Sequence, residues 1–161
     1  MIIEPGDLDD PRVIALLTAH FEGALAVTPA ENAYVPDTSG LRAPHITFLA
    51  AWDGETLLGI AALAELASDH AELKSMHTAQ AVRGRGVSAA LLRHVIDLAQ
   101  ARGYRALSLE TGTMSYFAPA RSLYRRHGFV DCAAFGDYAP SPYNQFVRLA
   151  LAPGGDPAGY Q

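Results

Sequence analysis

The sequence predicts an α/β fold in which a mixed, mostly antiparallel sheet is flanked by helices. Two observations lead to this fold class. Apolar stretches on both sides of an Asp53-Gly54 pair have the pattern of a β-hairpin. Residues 71–103 then have the pattern of a strand, a glycine-containing turn and a long amphipathic helix. Antiparallel strands that lead into a strand-turn-helix unit pack as layers of sheet and helix.

Length and composition indicate one globular domain. A chain of 161 residues, half of them hydrophobic, is long enough to bury one core. We expect one domain over residues 1–152 and a flexible C-terminal tail, rich in proline and glycine, over residues 153–161. The net charge of -5 argues against nucleic acid as a partner.

The compartment follows from three features of the sequence. The single cysteine, Cys132, excludes an internal disulfide and fits a reducing compartment. The first ten residues lack the basic and apolar pattern of a signal peptide. No apolar stretch reaches the ~20 residues that cross a bilayer. We therefore expect a cytoplasmic protein with no membrane partner.

The first part of the chain supplies a strand, a helix and the hairpin. Met1–Glu4 is a short apolar strand, and Asp9 or Asp10 caps a helix with Pro11 in its first turn. Residues 28–44 contain three prolines and little periodicity, which predicts a loop. The two hairpin strands are predicted at residues 45–52 and 56–66.

The central strand and the helix after it are predicted from their side-chain periods. In the strand Ala71–Thr78, the side chains of Leu73, Ser75 and His77 alternate with Glu72 and its neighbours, so His77 is expected to face away from Glu72. Apolar residues then recur at helical spacing, and a glycine follows the last of them. These helix positions are Val87, Leu91, Val95 and Leu98, with Gly103 after them.

The last part of the chain supplies three strands and a short helix. A proline at the start and a glycine past the end bracket the helix. The predicted elements are a strand at Tyr104–Thr111, a helix at Ala120–His127, and a final pair of strands at Val130–Phe135 and Asn144–Leu151.

The turn at residues 83–88, RGRGVS, predicts an anion site. A glycine-rich turn that opens a helix presents unpaired N–H groups at the positive end of the helix dipole, and phosphate is the usual ligand of such a site. The turn is not a Walker A loop, because no Gly-Lys-Ser/Thr follows it. It also lacks the third glycine of a dinucleotide fingerprint, where Ala89 stands instead.

Several stretches resemble the GNAT (GCN5-related N-acetyltransferase) superfamily. Residues 83–88 fit its Q/R-x-x-G-x-G/A motif, except that Ser88 replaces the last small residue. A second motif, L-Y-x-x-x-G-F, matches residues 123–129. The stretches RALSLETG, FAPARSLYRRHGFVDC and FGDY resemble a bacterial subgroup labelled indole-acetate acetyltransferase. The resemblance covers about residues 45–150.

The resemblance implies a fold, a co-substrate and a reaction. It implies the GNAT fold, with the sheet splayed at the acyl-CoA site, and transfer of acetyl from acetyl-CoA to the amine of a small molecule or peptide by direct attack. It implies strand-like pairing of pantetheine with the backbone of Met76 and Thr78 and contacts of Phe117 and Ala120 to the cofactor. Phe117 stands where many relatives have asparagine. The pyrophosphate contacts fall on Arg83, Arg85, Gly86, Val87, Ser88 and Ala89.

Two residues are the catalytic candidates by resemblance. Tyr124 occupies the tyrosine of the second motif and would serve as general acid, since a phenol keeps its proton at neutral pH. Glu72 lies where several relatives have a general base, and a carboxylate in a partly dry cleft has a raised pKa. Glu110 and His77 remain alternatives for the base.

The acceptor side is read from the loop FGDYAPSPYN. Tyr138, Ser141 and Asn144 are candidate acceptor contacts, and the resemblance places residues 28–44 beside the acceptor groove. The six histidines have no metal-ligand spacing, so we expect no metal. A homodimer is expected by analogy alone. Two competing hypotheses are a non-catalytic acyl-CoA sensor and a nucleotide-binding protein that uses the same turn.

Overall fold

A computed structural model describes residues 1–29 and 38–152. Within them the structure has seven strands, three α-helices and three short 3-10 segments. The strands are β1 (Ile2–Pro5), β2 (Ile46–Asp53), β3 (Thr56–Ala67), β4 (His70–Thr78), β5 (Ala106–Gly112), β6 (Val130–Asp131) and β7 (Asn144–Ala150). The helices are α1 (Pro11–Val27), α2 (Val87–Ala101) and α3 (Ala118–Arg126). The 3-10 segments are Thr38–Arg42, Gln80–Val82 and Ser115–Phe117.

The strands form one mixed sheet in the order β1-β2-β3-β4-β5-β7-β6. Only the β4–β5 pair is parallel, and it covers just the three pairs from His70↔Ala106 to Glu72↔Ser108. Beyond Glu72 the two strands separate, although β4 stays paired with β3 up to Thr78. The sheet is therefore split between β4 and β5, which confirms the predicted α/β fold with a splayed sheet.

Helices cover both faces of the sheet, and each face has its own core. On one face, α2 and α3 pack through Leu91, Val95 and Leu123 against sheet residues that include Leu63 and Leu73. The other face is covered by α1, where a smaller cluster forms. That second cluster comprises Val13, Leu17, Leu41, Phe48, Ile60 and Ala62. Burial of such side chains at about 25 cal/mol per Å² holds the layers together.

Most element boundaries agree with the sequence analysis, and one does not. The Asp10 side chain accepts a hydrogen bond from the Arg12 amide and caps α1, as predicted. The predicted strand Val130–Phe135 is wrong over most of its length, because pairing with β7 stops at Asp131. Residues 132–143 then leave the sheet edge as a loop, which folds back over the sheet through aromatic contacts of Phe135.

A β-bulge in β4 overturns the predicted side-chain alternation. His77 pairs with Ile60 and Lys74 pairs with Ala62, so Ser75 and Met76 together oppose a single residue of β3. Ser75 has a φ of 53°. Because the extra residue reverses the phase of the strand, His77 lies on the α1 face together with Glu72, and the prediction that the two face apart is wrong.

Two predictions fall partly or wholly outside the described residues. These are the flexible tail at 153–161 and residues 30–37 of the loop expected beside the acceptor groove. In the described part of the chain, no helix has the length and apolar character needed to span a membrane.

Candidate active site at the split in the sheet

Two cavities meet where β4 and β5 separate. One, the turn groove, has a volume of about 520 Å³ and runs from the glycine turn past the end of β4 to α3. The other, the carboxylate cavity, has a volume of about 150 Å³ and opens on the α1 face. Five residues line both cavities and mark their junction: His20, Met76, Phe117, Ala120 and Tyr124.

The turn groove ends at an open helix N-terminus. Gly86 is the N-cap residue of α2, has a φ of 82°, and has no side chain to satisfy the first N–H groups of the helix. The hydroxyls of Thr78 and Ser88 hydrogen-bond to each other and join the end of β4 to the start of α2. This turn is an anion site with its donors facing an open groove.

The free edge of β4 forms one wall at the split. Past Glu72 the backbone of β4 has no β5 partner, so its N–H and C=O groups on that side are available to a ligand that binds as a strand. A strand edge, a groove and an anion-binding helix terminus in series match the pantetheine arm and pyrophosphate of a coenzyme A thioester. The residues present therefore fit acetyl-CoA.

The predicted cofactor residues gather around this groove with one exception. Arg85 is exposed and is not among the residues that line the groove. Arg83 lines it and donates from Nε to the Thr78 carbonyl at 3.4 Å. Arg126 also lines it, although the sequence analysis did not single it out. The remaining predicted residues on its wall are Met76, Thr78, Gly86, Val87, Ser88, Ala89, Phe117 and Ala120.

Tyr124 stands at the junction of the two cavities. Its side chain is buried, its ring contacts Phe129 edge-on, and burial raises the pKa of its phenol above the usual value. Among residues 1–29 and 38–152, no group forms a hydrogen bond with its hydroxyl. A protonated phenol at this point can donate a hydrogen bond to a bound ligand.

Two carboxyl groups, one buried and one half-buried, lie on the α1 face at the split. Glu72 is only 4% exposed, and the Tyr138 hydroxyl donates to its Oε2 at 2.5 Å. Glu110 lines the carboxylate cavity directly, whereas Glu72 lies behind Tyr138. Burial raises the pKa of both groups, and the charge of Glu72 raises that of Glu110 further. A carboxylate with a raised pKa is a stronger proton acceptor than an ordinary glutamate.

The predicted acceptor residues separate into two kinds. Tyr138 and Asn144 line the carboxylate cavity. Ser141 is not on its wall, and instead its amide donates to Asn144 Oδ1 at 2.9 Å, with Tyr143 beside them. Ser141 therefore holds the Asn144 side-chain amide in place and does not itself line the cavity. The roles of these residues stay predictions.

A histidine pair at the junction was missed by the sequence analysis. His20 Nδ1 and His77 Nδ1 lie 3.2 Å apart, within hydrogen-bonding distance. Burial lowers the pKa of both imidazoles to about 4, with the neighbouring His77 adding to the effect on His20 and Arg83 to that on His77. Both rings are therefore neutral at pH 7. No sequence signal pairs a helix residue with a strand residue 57 positions later.

In the described part of the chain, no group of three or more histidine, cysteine, aspartate or glutamate side chains is arranged to hold a metal ion.

Comparisons with known proteins show the family of the chain. The sequence model described as the Acetyltransferase (GNAT) family matches residues 12–129. The chain is 44% identical to YedL, an uncharacterised N-acetyltransferase of Escherichia coli, over 149 residues that cover 92% of this chain and 94% of YedL. It is 41% identical to YsnE, an uncharacterised N-acetyltransferase of Bacillus subtilis, with 94% of this chain and 100% of YsnE covered.

More distant similarities are consistent with these. An IAA acetyltransferase of Azospirillum brasilense is 37% identical over 124 residues, 76% of this chain and 80% of that protein. The fold matches the structure of yncA, an acetyltransferase of Salmonella typhimurium solved with acetyl-CoA, with a TM-score of 0.70 and 18% identity. That match covers 98% of this chain and 97% of the other.

Proposed function

Since the chain belongs to the GNAT acetyltransferase family and is an N-acyltransferase, we propose that it transfers acetyl from acetyl-CoA to an amine bound in the carboxylate cavity. The junction at Tyr124 carries this proposal, because this buried tyrosine borders both the groove that fits coenzyme A and the cavity that contains the carboxyl pair. Acetyl-CoA would supply the acetyl thioester, and the amine attacks it directly.

The turn and the free strand edge hold the co-substrate. The amides at the start of α2 bind the pyrophosphate, and Arg83 and Arg126 add charge at the groove wall. The edge of β4 from Lys74 to Thr78 binds the pantetheine arm by backbone hydrogen bonds. Holding both reactants on one rigid sheet supplies the proximity that acyl transfer needs.

The carboxyl pair accepts the amine proton. Glu110 borders the cavity and takes the proton from the incoming ammonium, while Glu72, hydrogen-bonded to Tyr138, keeps a second charge close by. The raised pKa of Glu110 follows from its burial and from Glu72. This assignment refines the sequence analysis, which ranked Glu72 first and Glu110 second.

Tyr124 supplies the second proton. Its raised pKa keeps the phenol protonated through the neutral range, so it can protonate the leaving sulfur as the C–S bond breaks. The ammonium loses one proton to the carboxyl pair. The second N–H proton of the attacking nitrogen restores the proton that Tyr124 gives to the sulfur, so the conversion of an ammonium into an amide balances.

Tyr124→Phe tests the proposal. We expect thiol release from acetyl-CoA with an amine panel to fall by about 10²- to 10⁴-fold, while calorimetric acetyl-CoA affinity stays near that of the wild type. Tyr104→Phe is the control, since Tyr104 is another buried tyrosine. Its hydroxyl donates a hydrogen bond of 2.5 Å to Glu65 and lines neither cavity. Unchanged turnover in Tyr124→Phe contradicts the assignment. Acetyl-CoA binding without turnover of any amine favours the sensor hypothesis.

The remaining expectations are part of the same proposal. The acceptor is a small molecule or a peptide, and neither nucleic acid nor a membrane takes part. The cytoplasm is the proposed location, supported by the single free Cys132. A homodimer is proposed by analogy, and size-exclusion chromatography with light scattering tests it.

A further inference from the structure

A cationic and an anionic side chain face each other across the split. The last pair in the β4–β5 ladder is Glu72↔Ser108, so Lys74 and Glu110 are each two residues further along. Both lie on the α1 face: Lys74 pairs with Ala62 of that core, and Glu110 alternates with Leu109 of the opposite core. Both line the carboxylate cavity. The widening gap between the strands holds them apart.

Lys74 makes no ion pair with the described residues, although its charge acts on the Glu72 carboxyl group. The ion pairs of the described residues are Arg12–Asp10, Arg42–Asp9 and Arg125–Asp131, and neither Lys74 nor Glu110 belongs to one. Lys74 also forms no hydrogen bond with the described residues, although it is half-buried in a cavity wall. A bound anion would give this half-buried ammonium the direct ion pair that it does not form with Glu72.

The use of a lysine at position 74 also favours a bound anion. Of the twelve basic residues in the chain, Lys74 is the only lysine, and the other eleven are arginines. A lysine ammonium is a compact charge with three donors on a flexible stem, whereas arginine presents a planar fork. The cavity of about 150 Å³ is the space that remains with the Lys74 side chain in place.

We propose that the acceptor is a free amino acid, whose ammonium group binds at Glu110 and whose carboxylate binds Lys74 across the split. The inference rests on the proposed acetyltransferase function and names its substrate class. Aromatic walls from Phe21, Tyr138 and Tyr143 leave a mostly apolar surface for the side chain. An amine without a carboxylate leaves Lys74 unpaired.

The reaction balances for this substrate. The amino nitrogen forms the new C–N bond as the thioester C–S bond breaks, one ammonium proton goes to the carboxyl pair, and Tyr124 protonates the sulfur. Tyr124 regains a proton from the second N–H of the attacking nitrogen, and the N-acetyl amino acid keeps the last one. The product has lost its ammonium charge, so its attraction to Glu110 ends with the reaction.

A simpler role for Lys74 has to be separated from this one. The charge of Lys74 counteracts the effect of burial on the pKa of Glu72. If Lys74 served only to tune that carboxyl group, its removal would affect every amine equally. Carboxylate recognition instead predicts an effect that depends on the acceptor.

Matched acceptors test the class. Thiol release is measured for L-phenylalanine, L-leucine and glycine, and for the amines left by their decarboxylation: 2-phenylethylamine, 3-methylbutylamine and methylamine. We expect kcat/KM for at least one amino acid to exceed that of its amine by tenfold or more. Amines used as well as the amino acids, or turnover only of aminoglycosides, polyamines or peptides, overturns the inference but keeps the acetyltransferase. Failure to bind acetyl-CoA would overturn the proposed function itself.

Variants of Lys74 test the residue. For Lys74→Met, the ratio of kcat/KM between amino acid and matched amine should fall by about 10- to 100-fold, the usual effect of removing one charged hydrogen-bond partner. Lys74→Arg should recover part of the ratio. Arg93→Met, which removes an exposed cation on α2, is the control and should leave it unchanged. An equal loss for both acceptors in Lys74→Met overturns carboxylate recognition.

A direct binding signal is available because the lysine is unique. Reductive ¹³C-methylation keeps the positive charge and labels only Lys74 and the exposed N-terminal amine of Met1. With coenzyme A present, the Lys74 methyl resonance should shift on titration with the preferred amino acid but not with its amine. The Met1 resonance is the internal control. A Lys74 signal that ignores the amino acid contradicts the contact whatever the activity.

Discussion

The two cavities that meet at Tyr124 are built in different ways. The turn groove is formed largely by one continuous stretch, residues 76–89, with one side of α3, and its main donors are backbone N–H groups. The carboxylate cavity is formed by side chains from α1, β4, β5 and the 138–144 segment, and the Tyr138–Glu72 contact joins residues 66 positions apart. Backbone donors suit an invariant co-substrate, whereas side chains from separate elements can be exchanged to suit an acceptor.

The largest effect that separates the two regions is expected for Glu110→Gln. Loss of the carboxylate that borders the cavity should lower kcat/KM for the acceptor by about 10²- to 10⁴-fold, with acetyl-CoA affinity unchanged. As the pH is lowered, wild-type activity should start to fall at a higher pH than an ordinary glutamate would cause, because the pKa of Glu110 is raised. The Glu110→Gln variant should lose this acidic fall in activity. Pre-steady-state rates of thiol release between pH 5 and 9 measure both.

Two further variants sharpen this prediction. Glu4→Gln, at an exposed position on β1, is the control and should keep the wild-type profile. Glu72→Gln should have the smaller effect, because Glu72 reaches the cavity only behind Tyr138. A larger loss in Glu72→Gln than in Glu110→Gln would reverse the order of the two carboxyl groups and return the role to the residue that the sequence analysis ranked first.

The difference between the regions also explains what the sequence could predict. The strand-turn-helix unit, the Asp10 cap and the split sheet follow from local periodicity, cap residues and the family motifs. The sequence does not predict which side chains of β4 lie on which face after Ser75. A bulge inserts one residue there, and no residue type in the sequence marks its position. The His20–His77 contact and the position of Glu110 on the cavity wall depend on how α1 and the split place them, which is tertiary information.

The next largest effect is expected for Gly86→Ala, which changes the turn groove and leaves the carboxylate cavity intact. Gly86 has a left-handed backbone with nothing within 4 Å of an added Cβ, so Gly86→Ala changes backbone strain and not packing. We expect a loss of about 1–2 kcal/mol in the free energy of unfolding and a rise of about tenfold in KM for acetyl-CoA, because the helix N-terminus is no longer held in place. Steady-state kinetics at saturating acceptor measure the second effect.

Gly54→Ala is the matched control for this turn. Gly54, in the turn of the β2–β3 hairpin, also has a left-handed backbone and open surroundings, and it is not among the residues that line the groove. Its variant should lose a similar amount of stability and keep the wild-type KM for acetyl-CoA. Equal changes in KM for the two variants would mean that global strain, and not the position of the amides at α2, governs binding of the co-substrate.

The smallest effect concerns the histidine pair at the junction and appears only as a pH dependence of stability. Folding lowers the pKa of His20 and His77 from 6.5 to about 4, so the folded protein favours the neutral rings. Their contribution to stability is complete above the unfolded pKa and is lost as pH falls through the folded pKa. His77→Asn should therefore flatten the decline in unfolding free energy between pH 6.5 and 4, measured by urea titration.

This slope distinguishes a buried neutral pair from one that is charged in the folded protein. Carboxyl groups titrate over the same range in both proteins, so only the difference between wild type and His77→Asn reports on the pair. A neutral pair makes the stability advantage of the wild type shrink as the solution is acidified. An advantage that stays constant or grows toward pH 4 would mean that a charged imidazole is tolerated beside Tyr124. The junction would then hold a positive charge of its own, which would repel a cationic acceptor and oppose its attraction to Glu110.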